Sequence, residues 1–350
     1  MKSLTKLSAE ELRRFAGRCL AKLGVPEEEA ALIAETMVEA DARGIHSHGL
    51  MRLPVYAQRI RKGYIFREVR IVVEAETNTT VLLDGCFSAG QVAGTRAMEL
   101  AIEKAESQGL GAVAIKNSNH FGIAARYALL ASRRDLVGIA MSNTTPLVPP
   151  AGGAEKTIGN NPIAIAVPSN NEYPFVLDMA LSSVALGKIL FARSKGASIP
   201  DTWGVDKSGA PTTDPSEVLE GGFITPAAGP KGFGLALIVE ALTGILADGA
   251  FAKEIPSMYD LTQRQSVSHF MLAIDPARFI PINVFRERMS LLSAYVKEAK
   301  KAEGVDEIFL PGEMEFSLER ERLKSGIPVE ESVLKELKEL ALALEVPLSE

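Results

Sequence analysis

Four apolar runs in this chain end in the same way. GAVAIKNSNHFG, LVGIAMSNTT, NPIAIAVPS and PFVLDMALSS each carry a short, strand-forming apolar stretch into Asn, Ser, Thr or Asp. An apolar run of this length bounded by turn formers reads as a strand buried on both faces. Such strands need a sheet with helices packed on it, so the chain is expected to be α/β. The polar exits are expected to converge on one sheet edge. IVVEAE and TVLLD, joined through Asn78, add an antiparallel pair. AGQVAGTRAMELAIEKAESQG reads as a covering helix, and the glycine-rich GPKGFG opens a second, strongly apolar one.

Helices also stand at both chain ends. Ser8 and Glu11 form a capping box ahead of Leu12, Phe15, Ala16, Cys19 and Leu20, and Gly24 stops that helix. A second helix opens at Pro26 and ends at Gly44, and a third is expected from Leu50 to Lys62. Val329 to Leu344 carries Leu334, Leu337, Ala341 and Leu344 on one face. Residues 194–222, rich in Gly, Pro and Asp around Trp203, are expected to be a long lid-like excursion.

Composition excludes several function classes. The net charge of −6 is spread along the chain, with no basic stripe for nucleic acid. No run approaches the length of a membrane span, and the N-terminus lacks the apolar stretch of a signal peptide. Cys19 and Cys86 have neither CxxC spacing nor a disulfide framework, which points to a reducing, cytoplasmic location.

Chemistry concentrates in DARGIHSHGLMRLPVYAQRIRK, residues 41–62, where His46, His48 and Arg52 follow the break at Gly44. A histidine can titrate near neutral pH, and an arginine fork can grip a carboxylate. That is half a site for a small organic acid. For His48, and for His120 at the exit of a strand, the functional reading is favoured over a structural one. For His46 it is not, and His269, inside a strand pattern, reads as a satisfied core histidine. Asp178 alone reads as a cap for the following helix. Lys231 sits where a helix N-terminus could receive an anion. GGAEKT lacks the glycine before its lysine and fails the P-loop pattern, and no GxGxxG follows a strand. The His46/His48 HxH pair leaves open a competing class, a metal-dependent hydrolase, which would need further ligands.

RGIHSHGLMRLPVY, DGCFSAGQVAGTRAM, NSNHFGIAARYA, GNNPIAIAVP, VLDMALSSVALGKI, GAPTTDP and PKGFGLALIVE, in this order over about residues 40–245, resemble the malate/L-lactate dehydrogenase family of the sulfolactate and ureidoglycolate dehydrogenase type. The resemblance implies a non-Rossmann, NAD- or NADP-dependent oxidoreductase of a 2-hydroxy acid, built as a homodimer. Its fold would combine a mixed-sheet, cofactor-binding and catalytic domain (73–282) with a helical domain from residues 1–72 and 283–350. It further implies that Arg52 holds the substrate carboxylate with Ser47 nearby, that His120 is the acid/base, and that no metal is used. His48 could bind the substrate oxygen or carry the proton itself. Cofactor contacts are implied at Asp178, Met179, Ala180, Lys231 and Gly232, at Gly312 and Glu313 in PGE, and at Thr144. GNNP replaces the more usual GTNP, and the segment before PKGFG is short. Malate or lactate is the favoured substrate, with sulfolactate, ureidoglycolate, diketogulonate or a cyclic imino acid as alternatives, and an idle binding protein as a third class.

Overall fold

The computed structural model describes residues 5–348. Strand β1 (Thr5–Leu7) leads into helix α1 (Ala9–Lys22), whose Ser8–Glu11 capping box forms in both directions. Helix α2 (Glu27–Ala42) carries three glutamates in its first turn, where they face the positive end of the helix dipole. Helix α3 spans Leu53–Arg61. The helix expected from Leu50 therefore begins three residues later, and Leu50–Arg52 winds as a 3-10 turn. Pro54 has no N–H to return to the Leu50 carbonyl, so an α-turn cannot close there.

A seven-stranded sheet follows. Its strands are β2 (Val72–Glu76), β3 (Thr80–Asp84), β4 (Leu110–Ser118), β5 (Val137–Ser142), β6 (Ile163–Val167), β7 (Phe175–Met179) and, after the short ribbon β8 (Gly204–Val205) and β9 (Phe223–Ile224), β10 (Val267–Ile274). The spatial order is β2-β3-β4-β10-β5-β6-β7. Only β3 and β4 run parallel; every other pair is antiparallel, which makes the sheet mixed. Helix α4 (Gly90–Gln108) makes the crossover from β3 to β4, and α5 (Ala125–Ser132) packs beside it. Their buried alanines 93, 97, 101, 105, 125, 128 and 131 let both helices lie close on Val113, Ile115, Ala140 and Met271.

These strand directions correct one expectation. Because β4, β5 and β7 all run one way, Asn119, Thr144 and Asp178 do reach the same edge. Strand β6 runs the other way, so its exit at Ser169 lies at the far edge, and its entry, Asn160 and Asn161, is what faces the site. A hairpin neighbour has to reverse direction.

Helix α6 (Leu186–Lys195), helix α7 (Pro215–Leu219) and the β8–β9 ribbon give residues 186–224 a small core of Val184, Ile189, Ala192, Ile199, Val218 and Ile224, with Trp203 against it. The expected lid-like loop is thus a packed subunit. Helix α8 (Pro230–Glu240) continues into a π-helical turn, Ala241–Ile245, and covers part of the second sheet face through Ala236 and Val239. Helix α9 (Ile282–Lys297) lies against the β6–β7 turn, where Asn171 Nδ2 donates to Ser293 Oγ at 2.9 Å. Helix α10 (Glu313–Ser325) rests on α2. Strand β11 (Ile327–Val329) pairs with β1, and α11 (Glu331–Leu344) sends Leu337 and Leu340 into the core of α1–α3. Among the described residues no helix is long and apolar enough to cross a membrane.

Candidate active site

The loop after α2 is wrapped around one carboxylate. Asp41, buried in the last turn of α2, accepts from Leu50 N at 2.8 Å and meets His46 Nδ1 at 2.8 Å. Arg322 of α10 lies 3.1 Å from His46 Nε2 and 2.6 Å from the Asp41 carbonyl. A guanidinium can only donate, so His46 Nε2 accepts and its Nδ1–H points at Asp41. Gly49 is needed here because a Cβ would lie 2.1 Å from Asp41 Oδ1. Both nitrogens of His46 are therefore engaged behind the loop. This removes it from the HxH pair on which a metal-dependent hydrolase would depend. Among the described residues no three His, Cys, Asp or Glu side chains gather as a metal-binding group.

The other face of the loop presents His48. Its ring stacks on that of His120 with centroids 5.2 Å apart and planes 24° from parallel. Ser47 Oγ stands 2.9 Å from His48 Nδ1. Behind His120, Tyr56 Oη lies 2.6 Å from its Nδ1 and accepts from Gln91 Nε2 at 3.1 Å. The backbone N–H of His120 donates to Gln265 Oε1. Only Nε2 of His120 remains for a ligand. Tyr56 and Gln91 were not singled out in the sequence, although Tyr56 continues the four-residue spacing of His48 and Arg52.

Burial pushes the His48 pKa down to about 4, and the Arg52 charge adds to the effect. His120 is pushed well below the ordinary histidine value, first by burial and then by His48, Arg52 and His269. Both rings are neutral at pH 7. Arg52 anchors its guanidinium through Nε to Ser47 O at 2.6 Å, while Nη1 reaches Met258 Sδ and the Tyr259 hydroxyl. His269 is fully buried between Ser142 Oγ and Ser118 Oγ, with Phe121 stacked on it. It is the core histidine its strand position suggested.

The histidine pair, the arginine and the edge of polar strand ends form one group of side chains on a mixed sheet, and the malate/L-lactate dehydrogenase family profile matches residues 7–338. The chain belongs to this family. Malate dehydrogenase of Pyrococcus abyssi is 42% identical over 343 residues, covering 96% of this chain and 94% of that one. The NAD(+) ureidoglycolate dehydrogenase of Escherichia coli O157:H7 is 38% identical, covering 95% of each. The solved structure of sulfolactate dehydrogenase from Methanocaldococcus jannaschii superposes with a TM-score of 0.94 at 40% identity, over 98% of each chain.

In this malate/L-lactate dehydrogenase family member the remaining sequence-singled residues lie along β7 and its neighbours. Asp178 accepts from Ala125 N at 2.9 Å, so it caps α5 and not the helix that follows it. The antiparallel β6–β7 hairpin carries it to the start of α5. Desolvation raises its pKa to about 6 against the lowering effect of that hydrogen bond. Thr144 is held by its neighbours across the edge: its N–H donates to Asn161 Oδ1 at 3.1 Å and its hydroxyl to Asn160 Oδ1 at 2.9 Å. Leu181, just past Met179 and Ala180, donates to Asn160 O and accepts from Ala227 N, which ties β7 to the turn before α8. Lys231 and Gly232 follow in the first turn of that helix, and a Cβ on Gly232 would meet Ala227 O at 1.9 Å. Gly312, at φ 87°, rests on Val176, and Val176 N donates to Pro311 O. The Glu313 carboxylate is occupied by Lys297 Nζ at 2.6 Å and Leu310 N at 2.8 Å, and its own N–H donates to Leu310 O at 3.1 Å.

Proposed function

We propose that the protein transfers a hydride between NAD or NADP and C2 of a small 2-hydroxy or 2-oxo acid, with malate or lactate as substrate. The observation that carries this reading is a neutral His48–His120 pair set beside a guanidinium. Arg52 fixes the C1 carboxylate and thereby orients C2. In the oxidation direction His120 Nε2 takes the hydroxyl proton while C2 gives up its hydride and the C2=O bond forms. Tyr56 favours this because burial raises its phenol pKa, keeping it neutral and able to accept from His120 Nδ1–H when Nε2 must be bare. His48, stacked on His120, can hydrogen-bond the substrate oxygen. In reduction the same proton returns from His120.

When bound, the nicotinamide nucleotide supplies the hydride acceptor or donor. Its holding residues in this reading are Thr144, Asp178, Met179, Ala180, Lys231, Gly232, Gly312 and Glu313. Lys231, in the first turn of α8, adds a positive charge where the helix dipole favours a phosphate, and Gly232 lets that turn close on Ala227. Relatives named for malate, sulfolactate and ureidoglycolate share the carboxylate end that Arg52 would read. A screen of 2-oxo acids with NADH and NADPH in parallel tests the function. Oxaloacetate or pyruvate is expected to be reduced; turnover of cyclic imines alone would overturn the hydroxy-acid reading. Cofactor binding without any turnover would favour an idle binding protein.

We further place the enzyme in the cytoplasm, because its two cysteines are free and unpaired by spacing. We also assign it a homodimeric state. Helix α8 and its π-turn are apolar nearly all round and need cover on every side. Within one chain Ala236 and Val239 are covered, whereas Leu235, Leu237, Ile238, Ile245 and Leu246 are exposed together. An apolar stripe of this kind calls for a partner. Sedimentation at micromolar concentration is expected to show a dimer, and a fully active monomer would count against it.

A further inference from the structure

Tyr259 is an exposed aromatic set on a half-buried cation. Its ring lies over the Arg52 guanidinium, 5.7 Å from ring centroid to Cζ, and 63% of the residue is exposed. The segment that carries it is fastened to α3. Arg59, 1% exposed, donates through Nη1 to Met258 O at 3.2 Å and Asp260 O at 2.8 Å, and through Nη2 to Gln263 O at 3.2 Å. Lys62 Nζ adds a bond to Leu261 O at 2.9 Å, and Thr145 Oγ1, beside Thr144, donates to Pro256 O at 2.8 Å. Burying an arginine to hold three carbonyls of one surface turn fixes the tip of that turn relative to Arg52.

The hydrogen-bond directions give that tip a use. Arg52 Nη1 donates to the Tyr259 hydroxyl, so the phenol oxygen is an acceptor and its own proton is left to give. Arg52 Nη2 has no hydrogen-bond partner among the described residues. A guanidinium N–H and a phenol O–H thus lie side by side, next to the loop that carries Ser47 and His48. Resting on the 2-oxo acid reading above, we infer that Tyr259 is a second substrate-binding residue: its hydroxyl donates to the carboxylate held by Arg52. The chemical class it selects is a short 2-oxo or 2-hydroxy acid anion.

Tyr259→Phe keeps the ring over Arg52 and removes only the donor. A hydrogen bond to a charged group is worth enough that KM for the preferred 2-oxo acid should rise about 10- to 100-fold with little change in kcat. The affinity of the cofactor-loaded protein for oxamate, read by calorimetry, should fall in parallel. If Tyr259 only propped Arg52, the Phe substitution would have no further effect in an Arg52→Lys background; a loss that persists there supports direct contact. Wild-type KM and oxamate affinity in Tyr259→Phe, or complete loss of its effect in the Arg52→Lys background, overturns the assignment. A wild-type protein that neither reduces a 2-oxo acid nor binds oxamate overturns the functional reading along with it.

Discussion

His120 and Arg52 should fail differently when replaced. His120→Ala is expected to lower turnover about 10²–10⁴-fold, the usual worth of a positioned acid/base, with cofactor affinity kept. Arg52→Lys should lower kcat/KM by about 2–5 kcal/mol equivalent, because an ammonium cannot reproduce the planar fork that bonds Ser47 O and Tyr259 while Nη2 faces the carboxylate. Steady-state kinetics beside a cofactor titration checks both. His48→Ala is the third arm: if it is dead while His120→Ala turns over normally, the proton belongs to His48. The depressed histidine pKa values also give a pH test. A base that loses its proton early stays competent in acid, so kcat/KM for oxidation should hold as pH falls through the ordinary histidine value of about 6.5. A fall centred there would count against His120 as base. In stability the unfolded histidine takes its proton first, so the His48 contribution is intact above pH of about 6.5 and is lost progressively as pH falls toward about 4. Asp178 acts in the opposite sense, its raised pKa weakening the fold as pH climbs to about 6.

Among elements, the loop after α2 is the one most dependent on a single contact. Gly49→Ala would drive a methyl into the Asp41 carboxylate. It is expected to lower both melting temperature and kcat/KM while the far-ultraviolet spectrum stays native; a variant with wild-type kinetics would show that the loop can shift freely. How far the sequence foretold these elements depended on the distance over which each residue works. His48 and Arg52 were legible because they stand four apart in one glycine-broken segment, and His120 because a strand exit gives imidazole nothing to pack against. Asp41, Tyr56, Gln91, Arg59 and Tyr259 were not, since their meaning arises from partners that fold onto them from elsewhere: Arg59 from Met258, Asp260 and Gln263, Gln91 from Tyr56. Strand β6 misled for a related reason. Its polar exit looked like the others, and only pairing with β5 shows that it points away.

At the scale of the molecule the described residues form two large cores, one around α1–α3 and one under α4 and α5. The α/β class and the mixed sheet followed from strand patterning and family resemblance. That Leu337 and Leu340 complete a core begun by Leu12 and Leu20 could not be read from an amphipathic stripe alone, which says that a helix is covered and not by what. Deleting residues 327–350 should therefore unfold the α1–α3 unit while the sheet keeps its secondary structure. Chemical denaturation and limited proteolysis would report this, and an intact, active truncated protein would refute it. The β1–β11 ribbon, which joins Thr5 to Val329 and Leu7 to Ile327, has a further consequence for the order of assembly. On the ribosome β1 must wait for β11, and Arg322, which braces His46, emerges just before that strand. The nascent chain can build its sheet before then, but the loop that carries His48 and Arg52 gains its brace only once α10 has been made.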